Sequence, residues 1–387
     1  MQRIIVIIPQ YLGGGAETVT DSIVKALKPA GFEFILITEK VIEKCRERVE
    51  ALYSEIIFVD FELARYSPKT TAALCDVIEP LKGNVLWMIS DDLADIPKLR
   101  ARLAPAGKVI YHHHNVPLFQ AIIKDSYRGK KSDRAAYLKW FLLKHLREKL
   151  FRSYTRRYIK RALQTATDVD AYITLTNGFR SQLTALHPQC ADKFRAIYNP
   201  VAAKPDEVSL ADKRREVIYL GRLSYPDKRV DRLLRIFAKV AGSHPGWKLR
   251  LVGDGPERAN LEQLAAELKI QNIEFCGFSQ NPAEYLKSAS IICLTSEYEG
   301  WPMALVEGML YKAAPIAFGC TSGVRELLAD GRGIVIEPGD DARFAVELSQ
   351  LMASPEERRE IVEANASFLN ELSIEKIAGQ WRELFLS

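Results

Sequence analysis

Short apolar runs rich in β-branched residues recur along the first half of the chain, at Arg3–Pro9, Phe32–Glu39, Ile56–Phe61, Val85–Ser90 and Val109–His114. Runs this continuously apolar fit strands covered on both faces. The segments between them, such as Glu17–Leu27 and Thr70–Leu81, have helical spacing and the length of a crossover, which predicts βαβ units and a parallel sheet. Ala171–Thr176 and Phe194–Ile197 read as closing strands. From Asn199 the sequence Asn-Pro-Val-Ala-Ala-Lys-Pro-Asp carries two prolines and no periodicity, the pattern of an interdomain linker. A second alternation follows at Val217–Gly221, Lys248–Gly253, Ile273–Gly277, Ile291–Ser296, Pro315–Phe318 and Gly333–Glu337. The pattern predicts an α/β protein of two Rossmann-like, doubly wound parallel-sheet domains, 1–199 and 200–373. An amphipathic C-terminal helix over 374–387 is expected to pack back onto the first.

Composition agrees with two cores. A chain of 387 residues with 48% hydrophobic content exceeds what one core usually serves. The six cysteines (45, 75, 190, 276, 293 and 320) form no C-x-x-C pair and stand beside no histidine cluster, so they read as reduced thiols of an intracellular protein. Ile4–Ile8 is too short for a signal peptide or membrane span, and no run of about 18 apolar residues occurs elsewhere. The net charge of +5 is modest, but it is unevenly spread. Between Lys124 and Arg161 fourteen Lys or Arg face three acidic residues, which leaves the rest of the chain net acidic.

The most informative segment is Thr295-Ser-Glu-Tyr-Glu-Gly-Trp-Pro-Met-Ala-Leu-Val-Glu307. A buried strand ends in a polar turn, and Pro302 can take the first helical position. The backbone N–H groups of Met303, Ala304 and Leu305 are then expected to face an anion at the edge of the sheet. Glu299 in the turn and Glu307 in the helix can reach different parts of one elongated ligand; alone, such a pair is ordinary solvated surface. Gly221-Arg222-Leu223 ends the first strand of this domain, and Lys228 follows at the next helix. An arginine fork and a lysine point charge converging there suit a diphosphate, although helix-flanking charge is the plainer explanation. Gly253-Asp-Gly-Pro256 and Gly277-Phe278 end two further strands.

In this order these residues resemble the retaining glycosyltransferases of family four, which have the GT-B fold of two Rossmann-like domains facing across a cleft. The matching pieces are Gly13-Gly-Gly-Ala-Glu17, Asn199-Pro200, Gly221-Arg-Leu with Lys228, Val252-Gly-Asp-Gly-Pro256, Gly277-Phe278, Glu299–Glu307, Gly323-Val-Arg-Glu326, and Asp330-Gly with Gly333. The chain departs from the family pattern in Gly-Trp-Pro-Met, where an aromatic-Pro-Leu context is commoner, and in Ser322-Gly323, where two glycines are usual. The resemblance implies that Arg222 and Lys228 hold the diphosphate, Glu299 contacts sugar hydroxyls, Glu307 binds the ribose, and the nucleobase sits near Gly277 and Phe278. It implies a metal-independent reaction with no cofactor, in keeping with the lack of a D-x-D following a strand.

In the first domain, Gly14 and Gly15 follow a strand and open a helix, so their backbone can approach a ligand closely. The spacing is not that of a dinucleotide fingerprint. Tyr111-His-His-His-Asn-Val-Pro117 ends another strand; alternation turns His113 opposite to His112 and His114 and argues against metal ligation, leaving satisfied or surface histidines as the plain reading. By resemblance, His114 is the candidate for contact with the transferred sugar, and His113 comes second. In the cationic segment, Leu143, Leu146, Leu150, Tyr154 and Tyr158 follow helical spacing. This describes either a core-packed helix with a solvated outer face or one that docks on an anionic bilayer through Lys139, Trp140, Lys144, Arg147, Arg152 and Arg156. No base-reading motif accompanies it, so nucleic acid is not the expected partner.

The expectation is a cytoplasmic enzyme, peripheral to the inner membrane face. It would transfer a hexose from a nucleotide-sugar, with UDP the favoured carrier, to a lipid-linked glycan or glycolipid of bacterial surface polysaccharide. A nucleotide-sugar epimerase of the same architecture and a non-catalytic nucleotide-sugar-binding relative are the alternatives.

Overall fold

The structure, a computed structural model, describes residues 2–61, 67–89, 94–117, 159–160, 162–201 and 208–387. The chain divides into two compact units, Met1–Pro200 with Ile374–Ser387, and Val201–Ser373.

The first unit is built on strands β1 (Gln2–Ile7), β3 (Phe32–Thr38), β5 (Glu55–Phe58), β6 (Val85–Met88), β7 (Lys108–His113), β8 (Ala171–Thr174) and β9 (Phe194–Ala196). They form one parallel sheet in the order β5-β3-β1-β6-β7-β8-β9. Strand order reverses between β1 and β6, where a doubly wound sheet opens a crevice at its carboxyl edge. The strands end up to three residues before the apolar runs do, as at Phe58 where the run continues to Phe61. Between them a two-residue parallel pair forms, β2 (Gln10–Tyr11) with β4 (Lys40–Val41).

One face of this sheet is covered by helix Gly15–Leu27 and by the C-terminal helix Ile374–Leu386. The latter buries Ile377, Ala378, Trp381, Leu384 and Phe385. Trp381 lies with its ring centroid 4.6 Å from Trp87, and Phe385 packs between Phe32 and Phe34. Two fully buried tryptophans contribute several kcal/mol each, so this last helix completes the core of the unit.

The second unit carries strands β10 (Arg214–Leu220), β11 (Lys248–Val252), β12 (Ile273–Gly277), β13 (Ala289–Leu294), β14 (Ala314–Phe318) and β15 (Ile334–Ile336). They form a parallel sheet in the order β12-β11-β10-β13-β14-β15. Helix Val230–Ala241 has a strongly one-sided apolar face, and Val230, Leu233, Leu234, Phe237 and Val240 bury it against the sheet. In this sheet the order reverses between β10 and β13, so the loops that follow those two strands leave the same edge side by side.

Candidate functional site

The loop after β10 runs through Gly221, Arg222 and Lys228, and the loop after β13 through Thr295 and Glu299. They are joined by a backbone bond from the Glu297 N–H to the Asp227 carbonyl, 2.8 Å, and by the Thr295 hydroxyl donating to the Arg229 carbonyl, 3.0 Å. Three glycines at successive strand ends lock this edge. Gly221, Gly253 and Gly277 have φ of +148°, +141° and +74°, where only glycine is unstrained. The Gly221 N–H donates to Val252 O, Leu223 N–H to Asp254 O and Gly253 N–H to Gly277 O. A Cβ on Gly253 would overlap the Gly221 carbonyl, and one on Gly255 would overlap that of Leu223. The space left open at Gly253 is therefore filled by protein backbone.

The charged groups stand on this frame in pairs. Lys228 Nζ lies 2.7 Å from Glu299 Oε1, and the Ser296 hydroxyl donates to the same oxygen at 2.6 Å. Thr321 fixes the Glu299 backbone by donating to its carbonyl, 2.7 Å. Arg222 donates to Asp227 at 3.1 Å, and Ser224 donates to the other carboxylate oxygen at 2.6 Å. Below them, Glu297 is held by Arg229 and Arg232 at 2.6 and 3.1 Å. Lys228 and Glu299 thus meet, and Arg222 stands on the same turn. Each of these cations already holds a carboxylate, Lys228 that of Glu299 and Arg222 that of Asp227. Asp227, Ser296 and Thr321 escaped the sequence reading, although the first two lie directly beside motif residues.

A correction concerns helix Met303–Leu310. Pro302 caps it instead of opening it. The Met303 N–H turns back to Trp301 O and the Leu305 N–H to Pro302 O, both at 2.9 Å, while Leu305 is fully buried. Of the three expected amides only that of Ala304 takes part in no such backbone bond. Glu307 lies on the fifth residue of this helix, and burial pushes its carboxyl up to about 7. Phe278, just beyond Gly277, is 75% exposed, a large aromatic face open to a planar ligand.

In the first unit, Gly14 caps helix Gly15–Leu27, and the Glu17 side chain folds back to accept the Leu12 N–H at 3.1 Å. Behind this turn buried Asp21 accepts from Tyr11 and Tyr53 and pairs with Arg48 at 3.0 Å. The three histidines alternate along the end of β7 and the residue that follows it. His113 bonds to the Tyr172 hydroxyl at 2.6 Å on one face, while the rings of His112 and His114 lie 3.8 Å apart on the other. Burial lowers His113 to about 4 and His114 to about 3, so both are neutral. His112 is buried, and among the described residues neither of its ring nitrogens has a hydrogen-bond partner, nor has Nε2 of His114. Lys139, Trp140, Lys144, Arg147, Arg152 and Arg156 lie outside the described residues.

With this geometry in place, the second unit can be compared with known proteins. Residues 202–368 match the family described as "Glycosyl transferases group 1", over most of that unit. Over 175 residues the chain is 34% identical to the amylovoran biosynthesis glycosyltransferase AmsD of Erwinia amylovora, covering 45% of this chain and 49% of that protein. Over 206 residues it is 29% identical to a lipopolysaccharide 1,6-galactosyltransferase of Salmonella typhimurium, covering 50% and 55%. The chain thus spans about half the length of these curated relatives. The fold is shared over 99% of both chains with the Anabaena protein HepE, solved in complex with UDP-glucose, at a TM-score of 0.70 and 16% identity.

Two outcomes follow from this geometry. Gly253→Ala, which must displace the Gly221 carbonyl, lowers stability by more than about 2 kcal/mol in denaturant unfolding, whereas Gly15→Ala, whose Cβ meets open space, changes it by less than about 1 kcal/mol. Glu307 holds its proton more tightly folded than unfolded. Its contribution to stability is therefore full below about pH 4 and lost as the pH rises through 7, by at most about 3 kcal/mol. Unfolding of Glu307→Gln measured from pH 4 to 8 lacks this decline.

Proposed function

We propose that the protein is a retaining glycosyltransferase that moves a hexose from a UDP-sugar to a lipid-linked glycan or glycolipid in the assembly of bacterial surface polysaccharide. The observation that carries this reading is the Lys228–Glu299 pair beside Arg222, at the strand-order reversal of a glycosyl transferases group 1 domain. The amylovoran biosynthesis role of the Erwinia relative, the lipopolysaccharide 1,6-galactosyltransferase activity of the Salmonella relative and the UDP-glucose held by HepE favour the same donor and product class.

In this reaction the donor diphosphate takes over Lys228 from Glu299 and meets the N–H groups of Arg222 that Asp227 leaves open. The bond from the anomeric carbon to the phosphate oxygen breaks, and the two cations stabilise the charge that collects on the leaving group. The acceptor oxygen bonds to the same face of the anomeric carbon, its proton passes to the departing phosphate, and the configuration is retained. No metal is required, since the cations meet the developing charge. Glu299, released by Lys228, receives sugar hydroxyls. Glu307, poised near neutrality by burial, can donate to and accept from the ribose hydroxyls. The cationic segment 124–161 holds the enzyme to the cytoplasmic face of the membrane, where a lipid-linked acceptor resides.

Thermal-shift measurements without added metal distinguish the donor. UDP at a hundredfold its dissociation constant stabilises by about 2.7 kcal/mol, while GDP and ADP at equal concentration do not. Glu307→Ala weakens UDP binding, and Arg222→Ala or Lys228→Ala slows transfer by about 100-fold. Equal turnover in all three variants would refute the assignment. For the membrane face, replacing Lys139, Lys144, Arg147, Arg152 and Arg156 with Gln releases the protein from anionic vesicles in a flotation assay and leaves the UDP shift intact. Retained flotation overturns that part.

A further inference from the structure

Arg222 is 67% exposed, and a long, exposed arginine ordinarily samples many rotamers. Here it is held. Its guanidinium donates to Asp227, whose side chain is only 10% exposed and whose second oxygen is occupied by the buried Ser224 hydroxyl. Burial disfavours that charge, yet the bonds from Ser224 and Arg222 keep the Asp227 carboxyl below its ordinary range. The backbone of Arg222 is fixed as well, since its carbonyl accepts from Tyr219 at 2.9 Å. Asp227 also accepts the Glu297 N–H through its own carbonyl, so one residue anchors Arg222 and ties its turn to the loop bearing Glu299.

We infer that Asp227 is a positioning residue, holding the Arg222 guanidinium where it meets the terminal phosphate of a nucleoside diphosphate. The inference rests on the reading of this edge as a diphosphate site. Asp227 pre-orders the cation, so less conformational freedom is lost when the ligand arrives. It uses one N–H of the fork and leaves the others for phosphate oxygens.

The difference between UDP and UMP affinity reads this grip directly, because both carry the same nucleoside and only UDP carries the second phosphate. By calorimetry on the full chain, Asp227→Asn weakens UDP about five- to tenfold and leaves UMP within about twofold, which also certifies that the variant is folded. Arg222→Ala does the same, and the double variant is no weaker than Arg222→Ala alone, since the two residues act as one unit. Ser224→Ala, which loosens Asp227 without removing its charge, gives a smaller loss of UDP affinity, about twofold, and serves if Asp227→Asn does not fold. Unchanged or tighter UDP binding in Asp227→Asn, losses that multiply in the double variant, or equal weakening of UDP and UMP overturns the inference. Should Asp227→Asn be unfolded, an unchanged UDP affinity in Ser224→Ala overturns it. If Arg222→Ala itself leaves UDP binding intact, the diphosphate site is at fault instead.

Discussion

The carbonyl oxygen of Gly221 occupies the volume in which a side chain at residue 253 would begin, and that close approach sets where the charged groups of the second unit can stand. It draws the ends of β10 and β11 together beyond their last ladder bonds, and Gly253 passes the contact on to Gly277 at the end of β12. The turn that carries Arg222 and Lys228 leaves the sheet in one direction because its start is clamped between neighbours. Glycine is needed at residue 253 less to admit a ligand than to let two backbones meet.

On that frame, electrostatics follows a simple economy of partners. Among the described residues of this edge, Lys228 holds Glu299, Arg222 holds Asp227, and Arg229 and Arg232 hold Glu297. The pairs differ in permanence. Asp227 and Glu297 are tied to their surroundings through several bonds, whereas Glu299 faces Lys228 from a turn pinned mainly through its own carbonyl and through Ser296. A polyanion entering this edge competes for cations that are already ordered, so it meets a site whose geometry does not have to be created at the moment of binding.

The architecture was legible in the sequence because a strand buried on both faces leaves an unmistakable run, as in Ile4–Ile8 or Ile291–Leu294, and because crossovers of helical length dictate parallel pairing. The pair β2–β4 was not, since two residues carry no period. Motif spacing placed Arg222, Lys228 and Glu299 at one edge but said nothing of how they pair, which depends on rotamers and on neighbours such as Asp227 and Ser296. Pro302 was expected inside the helix on a statistical preference; the turn at Trp301 captures the Met303 amide and moves the helix start by one residue. The alternation of the three histidines could be read from position alone, whereas the burial of both His112 nitrogens depends on Trp87 and Trp381, one of them supplied from far along the chain.

That distant supply has a bearing on how the molecule comes into being. The helix bearing Trp381 and Phe385 closes the first core, yet it is encoded after the whole of the second unit. During synthesis the N-terminal sheet therefore waits, with Trp87, Phe32 and Phe34 lacking their cover, until the ribosome has finished everything in between. The second unit, contiguous from Val201 to Ser373, can complete its own core first. The first core is thus completed after the second although its strands are made earlier, by a helix encoded beyond the second unit.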